Sequence, residues 1–347
     1  MCNLLFIQAR DFGDAVIFTK LINTLGENFP NLKLDVFTKP IFINIYKNNP
    51  YINSIYYSNF PIGKSKKIDV ISNINLIKII LKLRKKNYDY VLNIVGDIRE
   101  NFIGKLVNPK KNVSILWPKE HLFTRFIRNG RGKFLDEKIK VPRNIINIYD
   151  ILDFITIYFG CKKFEPPKIF LNHEKLLKIK SSVLQEKIIA IHPFTKKKHI
   201  FWNFDKWIKL INNLKKDYNI WIFCAPDERE KAENIFKEII DNENVVIQTG
   251  DLEEFFIKLS LSKLLIGLDS FSVHVAYALN VPNIMLNGPN NYKIWQPKNT
   301  RVVCKANVCK YYPCYNKPLC IGKKYEYICM KAIEVEDILK AIEEVLK

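Results

Sequence analysis

The sequence contains neither a long apolar run nor a recognisable secretion signal. Its apolar runs fall well short of the ~20 residues that a membrane-spanning helix needs. The first residues, MCNLLFIQARDFGD, have no basic segment followed by an apolar one, so we expect no secretory signal peptide. These absences predict a soluble, cytoplasmic protein.

Acidic residues are scarce relative to basic ones. The chain has 35 Asp and Glu against 55 Lys and Arg, a net charge of +20. A surface this basic attracts polyanions such as phosphorylated sugars, anionic lipid headgroups or nucleic acid. The excess is spread along the chain, for example in KSKK at 64–67, KLRKK at 82–86 and TKKK at 195–198. Because lysine is mixed with Ile and Asn throughout, a functional and a compositional origin of the charge both stay open.

Closely spaced C-x2-C pairs, the usual signature of tetrahedral zinc sites, are also missing. Five of the eight cysteines nevertheless crowd the C-terminal part of the chain: Cys304, Cys309, Cys314, Cys320 and Cys329. In a reducing compartment such a cluster favours metal or redox chemistry over structural disulfides. The spacing matches no zinc finger, and no aromatic and basic RNA-binding motif accompanies it. A basic nucleic-acid-binding protein with a cysteine metal site is therefore kept as an alternative, and no nucleic acid partner is expected.

The chain does contain a regular alternation of strand-like and helix-like segments. Strands are predicted at 3–9, 32–38, 88–95, 112–117, 187–193, 219–225, 244–250, 264–269 and 282–287, mostly with helical patterns between them. This alternation is typical of parallel sheets with helices on both faces. The segment Phe164-Glu165-Pro166-Pro167 separates two such series and predicts a domain boundary there. We predict an α/β protein with two doubly wound domains, residues 1–165 and 166–347, which face a central cleft.

Polar and charged residues recur just after the predicted strands. They stand in DFGD at 11–14, HPFTKKK at 192–198, APDERE at 225–230, DSFSVH at 269–274 and NGP at 287–289. In open parallel sheets, ligands bind beyond the carboxyl ends of the strands. These loops are therefore predicted to face one ligand site.

The chain resembles glycosyltransferase family 9, the ADP-heptose-type heptosyltransferases of lipopolysaccharide core assembly. The matching segments, in the family's order, are FIQARDFGDAVIFTKLINTL, YDYVLNIVGDIRENFIGKLV, IAIHPFTKKKHIFWNFDKW, IFCAPDEREKAE and TGDLEEFFIKLSLSKLLIGLDSFSVHVAYALNVPNIMLNGP. The resemblance spans nearly the whole chain and implies the GT-B fold of two Rossmann-like domains. It also implies an inverting transfer of a heptose that needs no cofactor for catalysis. The C-terminal domain would bind the nucleotide-diphosphate sugar and the N-terminal domain the acceptor.

On the acceptor side, the resemblance assigns the catalytic base to Asp14. A carboxylate there can take the proton of the acceptor hydroxyl as it attacks, and Gly13 permits a tight turn beside it. An aspartate that only starts a helix is the alternative. Arg10 and Arg99 lie in loops that match the family and are candidates for contacts with acceptor carboxylates or phosphates.

On the donor side, the resemblance assigns diphosphate binding to Thr195 and a following lysine, because a leaving diphosphate needs donors and cations. Lys198 is the first candidate and Lys197 stays open, since the spacing to Trp202 is longer than in the family. Glu228 is expected to bind the donor's ribose hydroxyls. Its neighbours Asp227 and Glu230 are the alternatives.

The segment GLDSFSVH corresponds to the family signature Asp-Ser/Thr-Gly-x-x-His. Asp269 would bond sugar hydroxyls, Ser270 would meet the diphosphate at a helix N-terminus, and His274 would face the cleft. A core histidine is the alternative for His274. Phe271 stands where the family has glycine and crowds a backbone that glycine leaves open. This departure predicts an altered donor pose or identity, with loss of activity as the other outcome.

The cysteine segment, 304–329, also has counterparts in the family, some of which hold iron. The resemblance therefore implies a structural iron or zinc at Cys309, Cys314, Cys320 and Cys329, and buried free thiols are the alternative. The implied acceptor is the phosphorylated, lipid-linked inner core of lipopolysaccharide at the cytoplasmic face of the inner membrane. KSKK and KLRKK would steer the enzyme to that anionic surface. A different nucleotide sugar, a protein acceptor or a non-catalytic binding role on the same fold are the remaining alternatives.

Overall fold

The computed structural model describes residues 3–59, 70–94, 97–116, 133–183, 186–241, 243–315 and 317–347. The KSKK segment at 64–67 and the last residues of two predicted strands, Val95 and Trp117, lie outside this part of the chain. Two compact units divide the chain, Met1–Phe170 and Leu171–Lys347. The sequence places the boundary after residue 165.

The N-terminal unit is built on a sheet of six parallel strands. These are β1 Asn3–Gln8, β2 Lys33–Thr38, β3 Ile52–Tyr57, β4 Tyr90–Asn93, β5 Lys111–Leu116 and β6 Glu137–Lys140. Their order is β3-β2-β1-β4-β5-β6. The direction of winding reverses between β1 and β4, and a doubly wound sheet binds ligands beyond such a switch point.

The N-terminal unit also contains six described helices. They are α1 Phe12–Ile17, α2 Thr19–Asn28, α3 Ile43–Tyr46, α4 Val70–Arg84, α5 Ile98–Val107 and α6 Ile148–Tyr158. The side chain of Asp97 caps α5 by accepting a hydrogen bond from the backbone of Arg99, and Asn147 caps α6 in the same way. Such caps satisfy backbone N–H groups that have no partner inside the helix.

The C-terminal unit repeats this plan. Its strands are β7 Ile188–His192, β8 Asn219–Phe223, β9 Val245–Gln248, β10 Leu264–Leu268, β11 Asn283–Asn287 and β12 Thr300–Cys304. They run parallel in the order β12-β11-β10-β7-β8-β9. If these strands are numbered from β7 and the order is read from the opposite edge, it is the same as the strand order of the N-terminal sheet. The switch point here lies between β7 and β10.

The helices of this unit are α7 His173–Ser182, α8 Phe204–Leu214, α9 Arg229–Phe236, α10 Leu252–Ser260, α11 Phe271–Ala278, α12 Tyr292–Trp295, α13 Ile328–Lys331 and α14 Val335–Leu346. Short 3-10 turns occur at Lys198–Ile200, Pro226–Glu228 and Ala306–Val308. Trp202 and Trp207 are buried edge-to-face, 4.8 Å between ring centres, and the Trp202 indole donates to the Ile333 carbonyl at 2.9 Å. This bond joins the segment just before α8 to the segment just before the last helix.

The predicted α/β class with parallel sheets is confirmed. Every residue of β10 and of β11 is buried, as expected for central strands of a sheet covered on both faces. The sequence failed to predict β3, β6 and β12, all at sheet edges. The first two, INSIYY and EKIK, contain few buried residues, so their sequences lack the apolar run that marks a central strand. Across the described ranges, no helix combines the length and apolar character needed to cross a bilayer.

Candidate functional site

In the N-terminal unit, Asp14 lies just beyond β1, in the first turn of α1. The Tyr46 hydroxyl donates to the Ala15 carbonyl at 3.1 Å and anchors this turn. Burial raises the pKa of Tyr46 and of Glu100, and the charge of Asp14 raises both further. Asp14, which is half-buried, is therefore close to both of these buried side chains.

Asp97, just after β4, binds two arginines. Its carboxylate accepts from Arg99 Nε at 2.9 Å, from Arg99 Nη2 at 2.8 Å and from Arg10 Nη2 at 3.2 Å. The Asp97 side chain is only 11% exposed. Burial alone would raise the pKa of Asp97, but hydrogen bonds from Arg99 and the charge of Arg10 lower it overall. The carboxylate is therefore ionised and holds both guanidinium groups beside the switch point.

Glu100 is completely buried next to this group. Burial raises its pKa to about 8, Arg10 opposes that shift, and the charges of Asp97 and Asp14 add to it. Glu100 is thus mostly neutral at pH 7. Lys39, which follows β2, has a lowered pKa because it is partly buried, although Asp11 and Glu100 oppose the shift. Ionisable side chains from the ends of three neighbouring strands therefore share one region.

The structure brings together the three residues predicted in this unit. Arg10 and Arg99 share Asp97, and Asp14 lies close to Glu100, which also feels the charge of Arg10. Sequence reasoning missed Asp97 and Glu100. Their spacing, an acid followed by Glu three residues later at a helix start, was an available signal. The roles of Asp14, Arg10 and Arg99 in transfer stay predictions.

In the C-terminal unit, Asp269 directly follows β10 and is held by two amides. Its Oδ2 accepts from Asn287 Nδ2 at 3.1 Å and from Asn290 Nδ2. Burial raises the pKa of Asp269, while Asn290, the charge of Lys197 and Asn287 oppose the rise. The Cys304 thiol donates to Asn287 Oδ1 at 3.6 Å, across the register in which Asn287 pairs with Cys304. Sequence reasoning missed Asn290 and this network.

Phe271, in place of the family's glycine, belongs to an aromatic cluster. Its ring centre lies 5.7 Å from that of His192, edge-on, and 5.4 Å from that of Phe255. Phe255 in turn packs edge-on against Phe223 at 5.1 Å. Burial lowers the pKa of His192 to about 4, so its ring is neutral at pH 7. The phenyl ring of Phe271 is therefore packed against side chains from β7 and α10, and the second of these contacts β8.

The loop after β7 carries the predicted diphosphate ligands. The Thr195 hydroxyl accepts a hydrogen bond from the Lys197 backbone at 3.1 Å and fixes the turn. The charge of Lys197 lowers the pKa of Asp269, so Lys197 lies near that carboxylate. Lys198 is exposed and begins the following 3-10 turn. Which of the two lysines binds the diphosphate stays a prediction.

Glu228 closes the turn after β8. Its Oε2 accepts from the Ala225 backbone at 3.1 Å, and the residue is half-buried. The neighbouring Asp227 is exposed and lies 3.7 Å from the Lys196 ammonium. Glu228 is thus the more enclosed of the two acids. Its contact with the donor's ribose stays a prediction.

Ser270 and His274 stand one helical turn apart in the segment after β10. Ser270 occupies the N-cap position of α11, with its hydroxyl 3.0 Å from that of Ser272. His274 is 6% exposed, and burial lowers its pKa to about 4. That is the environment of a core histidine, the alternative that the sequence left open. Donor binding by these two residues stays a prediction.

The cysteine segment packs on the loop after β11. The Pro289 carbonyl accepts from the backbone of Cys314 at 3.0 Å and of Tyr315 at 3.1 Å. A side chain at Gly288 would meet Met330 Sδ at 2.5 Å, so only glycine fits the contact as it stands. The loop that carries Asn290 therefore has the cysteine segment behind it.

Three of the four cysteines proposed as metal ligands, Cys309, Cys314 and Cys320, lie near the fourth, Cys329. Burial raises the pKa of Cys329 to about 12, and the charges of Cys309, Cys314 and Cys320 add to the shift. Within the portion of the chain that the structure describes, however, no three His, Cys, Asp or Glu side chains are grouped so that they could hold a metal ion. Cysteine thiols are suitable ligands for iron or zinc, but the thiols are not arranged here as a complete metal site.

Comparisons with known proteins identify the family and the fold. The model of glycosyltransferase family 9 (heptosyltransferase) matches residues 76–325. Lipopolysaccharide heptosyltransferase 1 of Campylobacter coli is 26% identical over 363 aligned positions, with 97% of each chain covered. A glycosyl transferase family 9 structure from Veillonella parvula has a TM-score of 0.79 at 16% identity, covering 99% of this chain and 97% of that one. Escherichia coli heptosyltransferase WaaC with ADP-2-deoxy-2-fluoro heptose has a TM-score of 0.72 at 16% identity, covering 99% of both chains.

The structural likeness confirms the predicted fold, two Rossmann-like units of the GT-B type. The family model covers more than half of the 347 residues and includes the loops that carry Arg99, Thr195, Glu228 and Asp269. The chain therefore belongs to glycosyltransferase family 9 and is a glycosyltransferase.

Proposed function

We propose that this enzyme transfers a heptose, with inversion at the anomeric carbon, from ADP-heptose to the phosphorylated inner core of lipopolysaccharide. The observation that carries the proposal is the grouping of polar residues at both switch points, around Asp14 in one sheet and Asp269 in the other. The relative from Campylobacter coli is a lipopolysaccharide heptosyltransferase, and a similar structure holds an ADP-heptose analogue. Both support this choice of donor and acceptor.

In the proposed reaction, Asp14 acts as the general base. The acceptor hydroxyl oxygen attacks the anomeric carbon of the donor, and its proton passes to the Asp14 carboxylate. The bond from the anomeric carbon to the diphosphate oxygen breaks on the opposite side. The electron pair of that bond leaves with ADP, so the configuration at the anomeric carbon is inverted.

The C-terminal unit binds the donor in this proposal. Thr195, Ser270 and a lysine, Lys198 or Lys197, stabilise the charge that develops on the diphosphate. The proximity of Lys197 to Asp269 supports a cation at this position. Glu228 bonds the ribose hydroxyls and Asp269 the sugar hydroxyls, and His274 also contacts the donor.

The N-terminal unit binds the acceptor. Arg10 and Arg99 offer guanidinium groups to its phosphates or carboxylates, and Asp97 holds them at a fixed separation. A positioned pair of arginines suits a multiply charged acceptor better than a neutral sugar. The acceptor is lipid-linked, which places the enzyme at the cytoplasmic surface of the inner membrane as a peripheral protein.

A specific observation favours a second candidate, the same reaction with a different nucleotide sugar or with a protein acceptor. Phe271 and its aromatic neighbours, His192 and Phe255, stand where the family keeps an open glycine. A bulky ring beside the diphosphate loop changes the space available to the donor. Comparison of donors therefore belongs in the first experiment.

That experiment measures thermal stability with ADP, UDP and GDP, and then nucleotide release from the matching sugars with a phosphorylated inner-core acceptor. We expect stabilisation by ADP, by about 2.7 kcal/mol at a hundredfold excess over Kd, and acceptor-dependent release of ADP from ADP-heptose. Stabilisation and turnover with another nucleotide alone would establish the second candidate. Binding without turnover on the inner core would indicate a protein acceptor or a non-catalytic protein, and an assay with protein acceptors would separate these two.

We also propose that Cys309, Cys314, Cys320 and Cys329 hold a structural iron or zinc ion. The closeness of the other three cysteines to Cys329 supports this. Burial raises the pKa of Cys314 and of Cys329, and a bound metal would replace the protons on these two thiols. Elemental analysis of protein purified without chelator is expected to give about one metal ion per chain, lost when Cys320 and Cys329 are both replaced by Ser. Metal-free, fully folded protein would contradict the proposal.

A further inference from the structure

The helix α4 is apolar on its outer face as well as on its inner face. Leu76, Ile80 and Leu83 are buried in the core of the N-terminal unit. On the other side, Ile74, Ile77 and Leu81 are 48%, 57% and 54% exposed. Residues spaced by three and four positions lie on one side of a helix, so these side chains form a continuous strip, here called the α4 apolar strip. Such exposed strips mark interaction surfaces more often than isolated exposed residues do.

Basic residues border the α4 apolar strip on both sides. At about 100° per residue, Lys78 and Lys82 lie along one edge and Arg84 along the other. All three are exposed. The segment 70–84, VISNINLIKIILKLR, contains no Asp or Glu. The strip is therefore an apolar centre with cationic edges.

A groove runs between α4 and the edge strand β3 next to the lysines. It has a volume of about 690 Å³ and is lined by Lys78 and Lys82 from the helix and by Tyr56, Tyr57 and Ser58 from the strand side. The Lys82 ammonium lies 5.4 Å from the centre of the Tyr56 ring. Ammonium and hydroxyl groups in one groove suit a phosphate ester.

We propose that this face of α4 is the surface by which the enzyme docks on an anionic lipid bilayer. Ile74, Ile77 and Leu81 enter the boundary between headgroups and acyl chains. The flanking lysines bind the headgroup phosphates, and the groove beside β3 takes one headgroup. The inference deepens the proposed function, because a lipid-linked acceptor requires the enzyme to work at a bilayer.

The charge pattern favours a bilayer over a second copy of this chain. In a symmetric dimer the same patch meets itself, so the lysine edges of the two copies would face each other without any acidic residue from α4 between them. An anionic bilayer neutralises those lysines while it buries the apolar centre, as it does for interfacial amphipathic helices. The net charge of +20 adds long-range attraction to the same surface.

The test is co-sedimentation of the full chain with vesicles of phosphatidylcholine, alone or mixed with phosphatidylglycerol. We expect binding to the mixed vesicles only, and weaker binding at high salt. The double variant Ile77→Asn/Leu81→Asn should bind at least about tenfold more weakly at every salt concentration, because it loses the inserted apolar surface. Lys78→Gln/Lys82→Gln should lose about tenfold at low salt and less at high salt. Leu177→Asn is the matched control, since Leu177 is 53% exposed on the lysine-rich helix α7 but has no apolar strip around it.

Three outcomes would overturn the proposal. They are failure of the wild type to bind mixed vesicles, unchanged binding by the Ile77→Asn/Leu81→Asn variant, and equal loss in the Leu177→Asn control. A concentration-dependent dimer that the Ile77→Asn/Leu81→Asn variant abolishes, with vesicle binding intact, would assign the strip to a second copy instead. Stabilisation by ADP is measured on every variant in parallel. Its absence in the wild type would count against the proposed donor and leave the docking result standing.

Discussion

Replacement of Asp14 by Asn will reduce the rate of sugar transfer by about a hundredfold to ten-thousandfold, the usual contribution of a general base. Asparagine keeps the size of the side chain but cannot accept the proton of the attacking hydroxyl. The half-buried residue sits in the first turn of α1, so the variant should fold and keep its stabilisation by ADP. Acceptor-dependent ADP release, measured with saturating donor, checks the prediction.

The matched control for this experiment is Asp11→Asn. Asp11 precedes α1, is exposed, and makes no capping hydrogen bond through its side chain. Its backbone carbonyl, which accepts from Ala15 at 3.1 Å, is unaffected by the change. We expect turnover within about twofold of the wild type, in line with the small effects of exposed substitutions. If both variants keep near-normal rates, Asp14 is not the base.

Replacement of Asp97 by Ala will lower the free energy of unfolding by about 3 kcal/mol. The change removes the cap of α5 and leaves Arg10 and Arg99 without the carboxylate that both contact. The value lies at the low end for a broken buried ion pair because the Arg99 side chain is 46% exposed. Urea unfolding followed by circular dichroism measures it. We also expect weaker acceptor binding, since Asp97 then no longer fixes the two guanidinium groups.

The variant Asp97→Asn distinguishes the contribution of the helix cap to stability from the contribution of the carboxylate charge. Asparagine caps helices as well as aspartate does, so this variant should lose less stability than Asp97→Ala. Folding lowers the pKa of Asp97 below the ordinary value of 3.8, so its ionised form stabilises the protein above that pH. That contribution disappears as the pH falls through the lower pKa of the folded state, and the gap between wild type and Asp97→Asn should then close. A gap that widens on acidification would contradict the assigned ion pair.

The central strands can be predicted well from the sequence because parallel strands that are buried on both faces consist of continuous runs of apolar residues. LLIGL in β10 and NIMLN in β11 are such runs, and both were predicted within a residue or so. Edge strands carry no such signal. EKIK in β6 has a single buried residue, Ile139, and its pairing with β5 depends on backbone hydrogen bonds that any sequence can make. Such strands can be identified only when the position of the neighbouring strand is known.

The residues of the candidate site also fall into two groups, those that the sequence predicts and those that it does not. Residues that directly follow a predicted strand, such as Asp14 and Asp269, could be found because strand ends define where ligands bind. The partners that set their electrostatics could not. Asn290 reaches Asp269 from the loop after a different strand, and Glu100 is close to Asp14 although it lies on α5. Contacts between residues far apart in sequence depend on strand order and register, which one sequence does not display.

The cysteine segment has a consequence for engineering donor specificity. Its backbone donates to the Pro289 carbonyl, and Met330 fills the space beside Gly288. Contacts of Gly288 and Pro289 with Cys314, Tyr315 and Met330 thus join the cysteine segment to the loop whose amides hold Asp269. A chimaera that takes this loop from another enzyme should take the cysteine segment with it. Either segment transplanted alone would pack against residues of a different protein.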